Sequence, residues 1–180
     1  MGRRIAMPIL AAALLALAPA APQQKGLSTQ TIKGYLDKME MPSVPHPRSV
    51  DTLVVPLTDN AYAERIDLYV ERRMDQTLVL TAYPKFKGRY FNLSRVADRE
   101  KLFQRMLETN HRAFATFFID NQGDIGARFT FSTEDGLGFE SFRASVIELL
   151  RITDEYVPTL DGFMRNEPTD KEPLKKPGTR

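Results

Sequence analysis

The chain has 180 residues, of which 42% are hydrophobic and 27% charged, a balance typical of a globular protein. It contains no cysteine, which excludes disulfides, thiolate metal sites, iron–sulfur clusters and a cysteine nucleophile. The formal net charge is +2, and Arg3 and Arg4, which lie in a predicted leader, account for it. Because nucleic-acid binders ordinarily carry a basic excess, the remaining composition argues against nucleic acid as a partner.

Residues 1–20 have the three parts of a signal peptide. Gly2-Arg3-Arg4 is a charged start, residues 5–17 are apolar, and Ala18-Pro19-Ala20 has the small–x–small pattern that signal peptidase reads. A transmembrane anchor is the alternative, but a span needs about 20 apolar residues and this run is shorter. We therefore expect cleavage between Ala20 and Ala21 and a periplasmic or secreted protein that meets the membrane only through this segment.

The mature chain opens with a short spacer and a helix. Residues 21–28 are small and polar, which is typical of a linker. From Ser28 to Met41, apolar side chains recur at helical spacing, and Ser28 or Thr29 can cap the first turn. Prolines at positions 42, 45 and 47 end this helix and predict a Pro-rich link.

Strand patterns follow the link. Residues 50–57 are β-branched and apolar, with Pro56 near the end, where an edge strand tolerates it. Residues 66–71 alternate between apolar and polar, and residues 77–83 form the next strand, which Pro84 is expected to close. Residues 72–76 are predicted to be the turn between these two strands.

The second half predicts two helices around a hairpin. A helix begins between Ser94 and Asp98, and its apolar stripe comprises Leu102, Phe103, Met106 and Leu107. Residues 114–119 and 125–131 then form a β-hairpin around the turn 120–124. The strongest pattern is a helix over residues 139–163 with a kink at Pro158, and residues 164–180 predict a disordered tail.

These elements run in the order α-β-β-β-α-β-β-α. Strands joined by short turns favour an antiparallel sheet, and the helices are expected to pack on it, which is an α+β fold. The predicted organisation is a signal peptide (1–20), a spacer (21–28), one α+β domain (29–163) and a tail (164–180).

Three segments carry a resemblance to a known family. They are the helix end Leu107-Glu108-Thr109-Asn110, the hairpin from Phe118 to Ile125, and the helix end from Ala144 to Leu160. Together with the element order they resemble the YbjN-like family, whose fold is shared with type III secretion chaperones. The resemblance spans roughly residues 29–163. It implies a protein-binding module or a regulator of sensory transduction, without catalytic residues to carry over. The export leader and the Pro-rich link depart from the family.

Two patterns suggest metal sites, and both have simpler explanations. Asp120, Gln122 and Asp124 are similar to the start of a calcium loop, but Ile125 stands where the loop needs glycine and Phe131 where it needs glutamate. A hairpin turn is therefore expected there. His46 and His111 have no acidic residue at a ligand spacing, so we expect surface or interface histidines.

The other candidate motifs also have structural explanations. Ser141 lies in a helix pattern without the Gly-x-Ser-x-Gly of a hydrolase. The expected turn glycines, Gly123, Gly126, Gly136 and Gly138, lack the Lys-Ser/Thr pair of a phosphate loop. Asn92-Leu93-Ser94 is a chance glycosylation triplet, and Glu134-Asp135 is a solvated loop. We therefore predict no catalytic, cofactor or metal site, and no enzyme.

The sequence thus favours an exported protein-binding or regulatory module, whose partner is another protein or a second copy of itself. Recognition would use a sheet face, a groove beside the last helix, or strand addition at an open sheet edge. Tyr69 and Tyr83 are conceivable contact residues, although ordinary strand positions are the simpler interpretation. The alternative is a periplasmic small-molecule or lipid-binding protein with a pocket lined by four phenylalanines: Phe114, Phe117, Phe129 and Phe142.

Overall fold

The computed structural model describes residues 27–165, so the predicted signal peptide and most of the predicted tail lie outside the described residues. The helices of this region are α1 (Thr29–Lys38), α2 (Arg99–Arg112), α3 (Phe139–Glu155) and α4 (Val157–Phe163). Its strands are β1 (Val44–His46), β2 (Ser49–Leu57), β3 (Arg65–Arg72), β4 (Thr77–Phe86), β5 (Arg89–Tyr90), β6 (Thr116–Ile119) and β7 (Ile125–Ser132). Leu93–Arg95 is a single 3-10 turn.

The strands form one sheet in the order β1-β2-β3-β4-β7-β6, with β5 paired to the end of β4. Every pair is antiparallel. The chain reaches β6 through α2, and the hairpin β6–β7 then returns so that β7 lies beside β4. The predicted α+β fold with an antiparallel sheet is confirmed.

One face of the sheet and the helices enclose the core. Alternate strand residues point to this face, because side chains change sides at every position of a strand. Leu53, Val70 and Leu80 are successive cross-strand neighbours on it, and all three are buried. Helix α3 lies over β4 and β7, and its own side chains Phe142, Val146 and Leu149 are buried against the sheet.

Local signals set where the helices begin and end. The Ser28 hydroxyl accepts the Thr31 N–H at the start of α1, and the Asp98 carboxylate accepts the Lys101 N–H at the start of α2. A single last helix with a kink at Pro158 was predicted, but the helix is interrupted two residues earlier, at Tyr156, which separates α3 from α4 and leaves Pro158 in the first turn of α4. Proline is tolerated there because first-turn N–H groups have no intrahelical partner.

The strands differ from the prediction in two places. Residues 44–46 of the expected link form β1, which pairs with β2. Pro84 does not close β4, which runs to Phe86 and pairs Pro84 with Ile66 of β3. Proline has no backbone N–H to donate. At Pro84 this interrupts no hydrogen bond to β7, because the pairing of β4 with β7 has already ended at Ala82.

The apolar stripe of α2 is narrower than predicted. Leu102 and Met106 are buried, whereas 42% of Phe103 and 70% of Leu107 is exposed. Successive helix residues are 100° apart, so Phe103 and Leu107 turn away from the line along which α2 meets the sheet. They lie on the outer surface of the domain.

The described region extends slightly past the predicted domain at both ends. Leu27 is buried, and the Arg165 N–H donates to the Arg95 carbonyl. Between these two residues, no helix combines the length and the apolar character that a membrane span requires.

Candidate protein-interaction site

Both outermost strands of the sheet are closed to a further strand. β1 is three residues long and contains Pro45, which has no N–H to donate. At the other end of the sheet, the side chain of Asn110 in α2 occupies the outer edge of β6. The Phe117 N–H donates to Asn110 Oδ1 at 2.6 Å, and Asn110 Nδ2 donates to the Phe117 carbonyl at 3.0 Å.

The open edge is a part of β7 that β6 does not reach. β6 begins at Thr116, which pairs with Arg128, so among the described strands residues 129–132 of β7 pair with β4 alone. The backbone N–H and C=O of Phe117 point outward to Asn110, so those of its cross-strand neighbour Ala127 point away from β6, toward β4. Along an antiparallel strand the backbone groups of successive residues point alternately to the two neighbouring strands. The N–H and C=O groups of Thr130 and Ser132 therefore point to the uncovered side. We call residues 129–132 the β7 edge.

An aromatic cluster borders the β7 edge on the helix side. The rings of Phe114 and Phe129 stack with centroids 4.2 Å apart, and Phe129 meets Phe131 edge-on at 4.6 Å. Phe114 is 62% exposed, while Phe129 and Phe131 are partly buried. An exposed aromatic side chain at a strand edge can pack against the side chains of an added strand.

Phe114 also lines a groove between α2 and α3. The groove encloses about 430 Å³. Its walls carry Arg105, Glu108, Thr109, Arg112, Glu148, Arg151 and Ile152, and Ala113 lies beside Phe114. Arg151 is held between Glu148 and Glu155 at 2.6 Å from each. The groove and the β7 edge thus meet at Phe114 and form one continuous surface.

A second concave region lies on the sheet face opposite the helices, which we call the open face. Its cleft of about 440 Å³ is lined by His46, Ser49, Thr52, Tyr69, Glu71, Thr81, Tyr83, Tyr90, Asp120, Gln122, Asp124 and Arg128. Tyr69 and Tyr83 meet edge to face at 5.7 Å. The register between β3 and β4 places these two rings together, so local sequence patterns do not distinguish them from ordinary strand residues.

Two tyrosines of the open face, Tyr83 and Tyr90, donate hydrogen bonds to carboxylates. The Tyr90 hydroxyl and the Arg65 guanidinium donate to Asp67, which is only 2% exposed, and Lys85 Nζ lies 3.3 Å from it. Burial raises the pKa of the Asp67 carboxyl, but the hydrogen bonds and the two cations outweigh it and hold this pKa below its usual value. Burial and the nearby Asp120 carboxylate, which accepts a hydrogen bond from the Tyr83 hydroxyl, raise the pKa of Tyr83.

The candidate metal residues have structural roles. Asp120 Oδ1 accepts the N–H groups of Gln122 and Asp124, which shapes the predicted hairpin turn. His46 packs against Tyr69, and His111 is exposed in the last turn of α2. Within residues 27–165 no three histidine, aspartate or glutamate side chains group as metal ligands would.

The remaining motif residues are also placed. Ser141 is exposed on α3, and Glu134-Asp135 is an exposed loop. Asn92 caps the 3-10 turn and donates to Asp124. Gly126 was predicted to lie in a turn, but it lies inside β7, where a Cβ would come within 2.9 Å of the Ala82 carbonyl oxygen.

The predicted phenylalanine pocket does not form. Phe117 and Phe142 are buried core residues, and Phe142 packs against Tyr35. Phe114 and Phe129 lie instead at the β7 edge, because the chain between α2 and β6 passes outside the core there. Leu149 of α3 is only 1% exposed and belongs to the core, so its substitution would disturb the fold rather than test a surface.

No protein-family model matches the sequence. Among solved structures, YbjN from E. coli is similar with a TM-score of 0.52 and 14% identity, covering 74% of this chain and 91% of that chain. A chain of the ExsC–ExsE complex is similar with a TM-score of 0.52 and 16% identity, covering 75% of this chain and 96% of that chain. A chain of the HopA1–SchA chaperone–effector complex has a TM-score of 0.49 and 15% identity, covering 69% of this chain and 88% of that chain. The first two likenesses show that this chain has the YbjN-like, type III secretion chaperone-like fold.

Proposed function

We propose that this chain is an exported, non-catalytic module that binds, and through binding regulates, another protein. The observation that carries the proposal is the β7 edge, where backbone groups that pair with no described strand lie beside the exposed ring of Phe114. A partner segment in extended form would continue the line of β6 along β7. The likeness to a chain of the ExsC–ExsE complex supports a protein as the partner.

Binding at the β7 edge combines two interactions. Thr130 and Ser132 offer two donors and two acceptors, and each backbone hydrogen bond contributes about 0.5–1.5 kcal/mol net. Phe114, Phe129 and Phe131 add apolar area, at about 25 cal/mol per Å² removed from water. Alternate side chains of the partner strand would face this cluster, which gives the site its selectivity.

Export is part of the proposal because residues 1–20 have the charged start, apolar run and small–x–small end of a signal peptide. The partner would then be a periplasmic, envelope or secreted protein. Pairing with a second copy of this chain at the same edge is the homodimeric form of the proposal.

The test is crosslinking in cells of the tagged full-length protein, followed by purification from the envelope fraction and mass spectrometry. Phe114→Ser should lower the yield of a reproducible partner at least tenfold. Val50→Ser is the matched control, because Val50 is 88% exposed at the start of β2, near the other end of the sheet. Equal loss with both variants, or with neither, would argue against the β7 edge.

The second candidate is a small-molecule-binding protein, and the open-face cleft favours it. Its volume of about 440 Å³ falls in the range of ligand pockets. Its polar and tyrosine-rich lining suits a polar molecule better than a lipid chain. Native mass spectrometry of freshly purified protein tests this candidate, and repeated absence of any bound molecule would remove its support.

A further inference from the structure

Tyr69 and Tyr83 form an aromatic corner that lines the cleft of the open face. Their rings stand at 89° to one another, with centroids 5.7 Å apart. The Tyr83 ring lies over Gly126 of β7, where a Cβ would come within 3.0 Å of two ring carbons, and its hydroxyl donates to Asp120. Within residues 27–165 no lysine or arginine lies over either ring. The corner is therefore fixed in place and offers apolar surface to a ligand.

The charged groups around the cleft balance one another. Four carboxylates and four cations lie in it or beside it: Asp67, Glu71, Asp120, Asp124, Arg65, Arg73, Lys85 and Arg128. Arg73 pairs with Glu71 at 3.0 Å. Arg65 and Lys85 pair with Asp67 at 2.5 and 3.3 Å. A ligand of either sign would meet no net excess of opposite charge, so the cleft favours a neutral one.

The cleft also has donors and acceptors that the fold leaves unused. Only the backbone of Gln122 takes part in the turn, and its side-chain amide makes no hydrogen bond within residues 27–165. His46 Nδ1 accepts the Arg48 N–H at 3.2 Å, which leaves Nε2 of the neutral ring as a donor. Glu71 accepts from Arg73 through Oε1, so Oε2 remains an acceptor. The available groups are thus of both kinds and stand beside an apolar surface.

We propose that the open-face cleft binds a neutral saccharide, packed against the corner of Tyr69 and Tyr83 and hydrogen-bonded to Gln122 and Glu71. The C–H groups of a sugar ring carry a weak positive partial charge, which suits the negative face of an aromatic ring. Each sugar hydroxyl both donates and accepts, which suits the mixed set of polar groups. The inference gives a ligand class to the second candidate function, and it is independent of the β7 edge.

The experiment is calorimetric titration of the purified protein with neutral trisaccharides built from glucose, galactose, mannose or N-acetylglucosamine. We expect at least one of them to bind with a dissociation constant of about 1 mM or lower. Tyr69→Leu should weaken this binding about threefold to tenfold, whereas Tyr69→Phe, which keeps the ring, should retain it. Gln122→Ala should also weaken it about threefold to tenfold, because the amide no longer bonds to a hydroxyl.

Asn121→Ala is the matched control for Gln122→Ala, since Asn121 is exposed in the same turn and does not line the cleft. Urea unfolding checks that each variant is folded. No binding of any trisaccharide, or binding that Tyr69→Leu and Gln122→Ala both leave unchanged, would overturn the inference. Tighter binding of a glucosamine or galacturonate trisaccharide than of every neutral one would also overturn it, by showing that the cleft selects for charge.

This experiment fails separately from the tests of the two candidate functions. Phe114→Ser should leave saccharide binding unchanged, and absence of saccharide binding leaves partner crosslinking at the β7 edge intact. A different small molecule found by native mass spectrometry, without binding of any saccharide, would overturn the inference and keep the second candidate function.

Discussion

Asn110, near the end of α2, exchanges two hydrogen bonds with the backbone of Phe117 in β6 and so takes the place of a neighbouring strand. An unpaired strand edge is a template for association with other chains, and side chains that occupy it prevent this. The last strand of the sheet is thereby closed, while the β7 edge, just beyond the start of β6, stays open. Among the described residues, the β7 edge is therefore the open part of the sheet at this end.

Replacing Asn110 should destabilise the domain and release the edge of β6. Asn110→Ala leaves both backbone groups of Phe117 without this partner, which costs about 1–3 kcal/mol of the free energy of unfolding. Urea unfolding measures that loss, and size-exclusion chromatography measures the self-association expected from the freed edge. Gln104→Ala, at an exposed position of the same helix, should change neither quantity.

Asp154 joins α3 to the loop between β2 and β3. Its carboxylate accepts the N–H groups of Ala61, Tyr62 and Ala63 at 2.7, 3.0 and 2.7 Å. Asp154→Ala should lower the free energy of unfolding by about 3 kcal/mol, because hydrogen bonds to a charged acceptor are strong. Asp161→Ala removes only an exposed ion pair with Lys87 and should cost about 0.5 kcal/mol. Similar losses from both substitutions would contradict this role.

The buried Asp67 should make stability depend on pH. Its folded-state pKa lies below its value in the unfolded chain, so its contribution is present above the unfolded pKa and is lost as the pH falls through the folded pKa. Asp67→Asn should cost about 3 kcal/mol at pH 7, because Arg65 and Lys85 then lose their buried partner.

Chemical unfolding at a series of pH values from neutral to acidic separates the Asp67 contribution from those of the surface carboxylates. The difference in stability between the wild type and Asp67→Asn should shrink as the pH falls below the usual aspartate range. A difference that stays constant with pH would mean that the charge of Asp67 does not contribute.

The proposed signal peptide leads to a prediction about the compartment. Intact mass spectrometry of the protein from the envelope fraction should give a chain that begins at Ala21. Ala18→Arg places a large charged side chain in the small–x–small pattern and should cause the precursor to accumulate. Gln23→Arg, downstream of the cleavage point, should be processed normally. A precursor that stays in the cytoplasm in both variants would contradict export.

Local patterns were sufficient to predict most of the elements. Ser28 and Asp98 mark helix starts by their own side-chain chemistry, and the turn at 120–124 needs only the preferences of aspartate and glycine. Pro84 was misread because a proline inside a strand depends on what pairs with it. That information lies in β7, which follows β4 only after about 40 residues and ends its pairing with β4 at Ala82.

The interaction surfaces depended on register, which single-sequence patterns do not specify. Phe114 was predicted to lie in a strand and a pocket, yet β6 begins only at Thr116, and this offset of two residues leaves the β7 edge uncovered. Tyr69 and Tyr83 share a face because Tyr69 pairs with Thr81, two positions from Tyr83. The sequence does contain one signal for the closed edge, since Asn110 lies in a segment that resembles the YbjN-like family.

The most direct test of the central claim is the Thr130→Pro variant in the in-cell crosslinking experiment. Proline removes the outward N–H of Thr130, while Phe129 and Phe131 keep their bonds to β4 and preserve the fold. Thr130→Val, which keeps the backbone donor, is the matched control. We predict that the folded Thr130→Pro protein loses the partner at least tenfold while Thr130→Val retains it. A folded Thr130→Pro protein that still captures the same partner would contradict binding at the β7 edge.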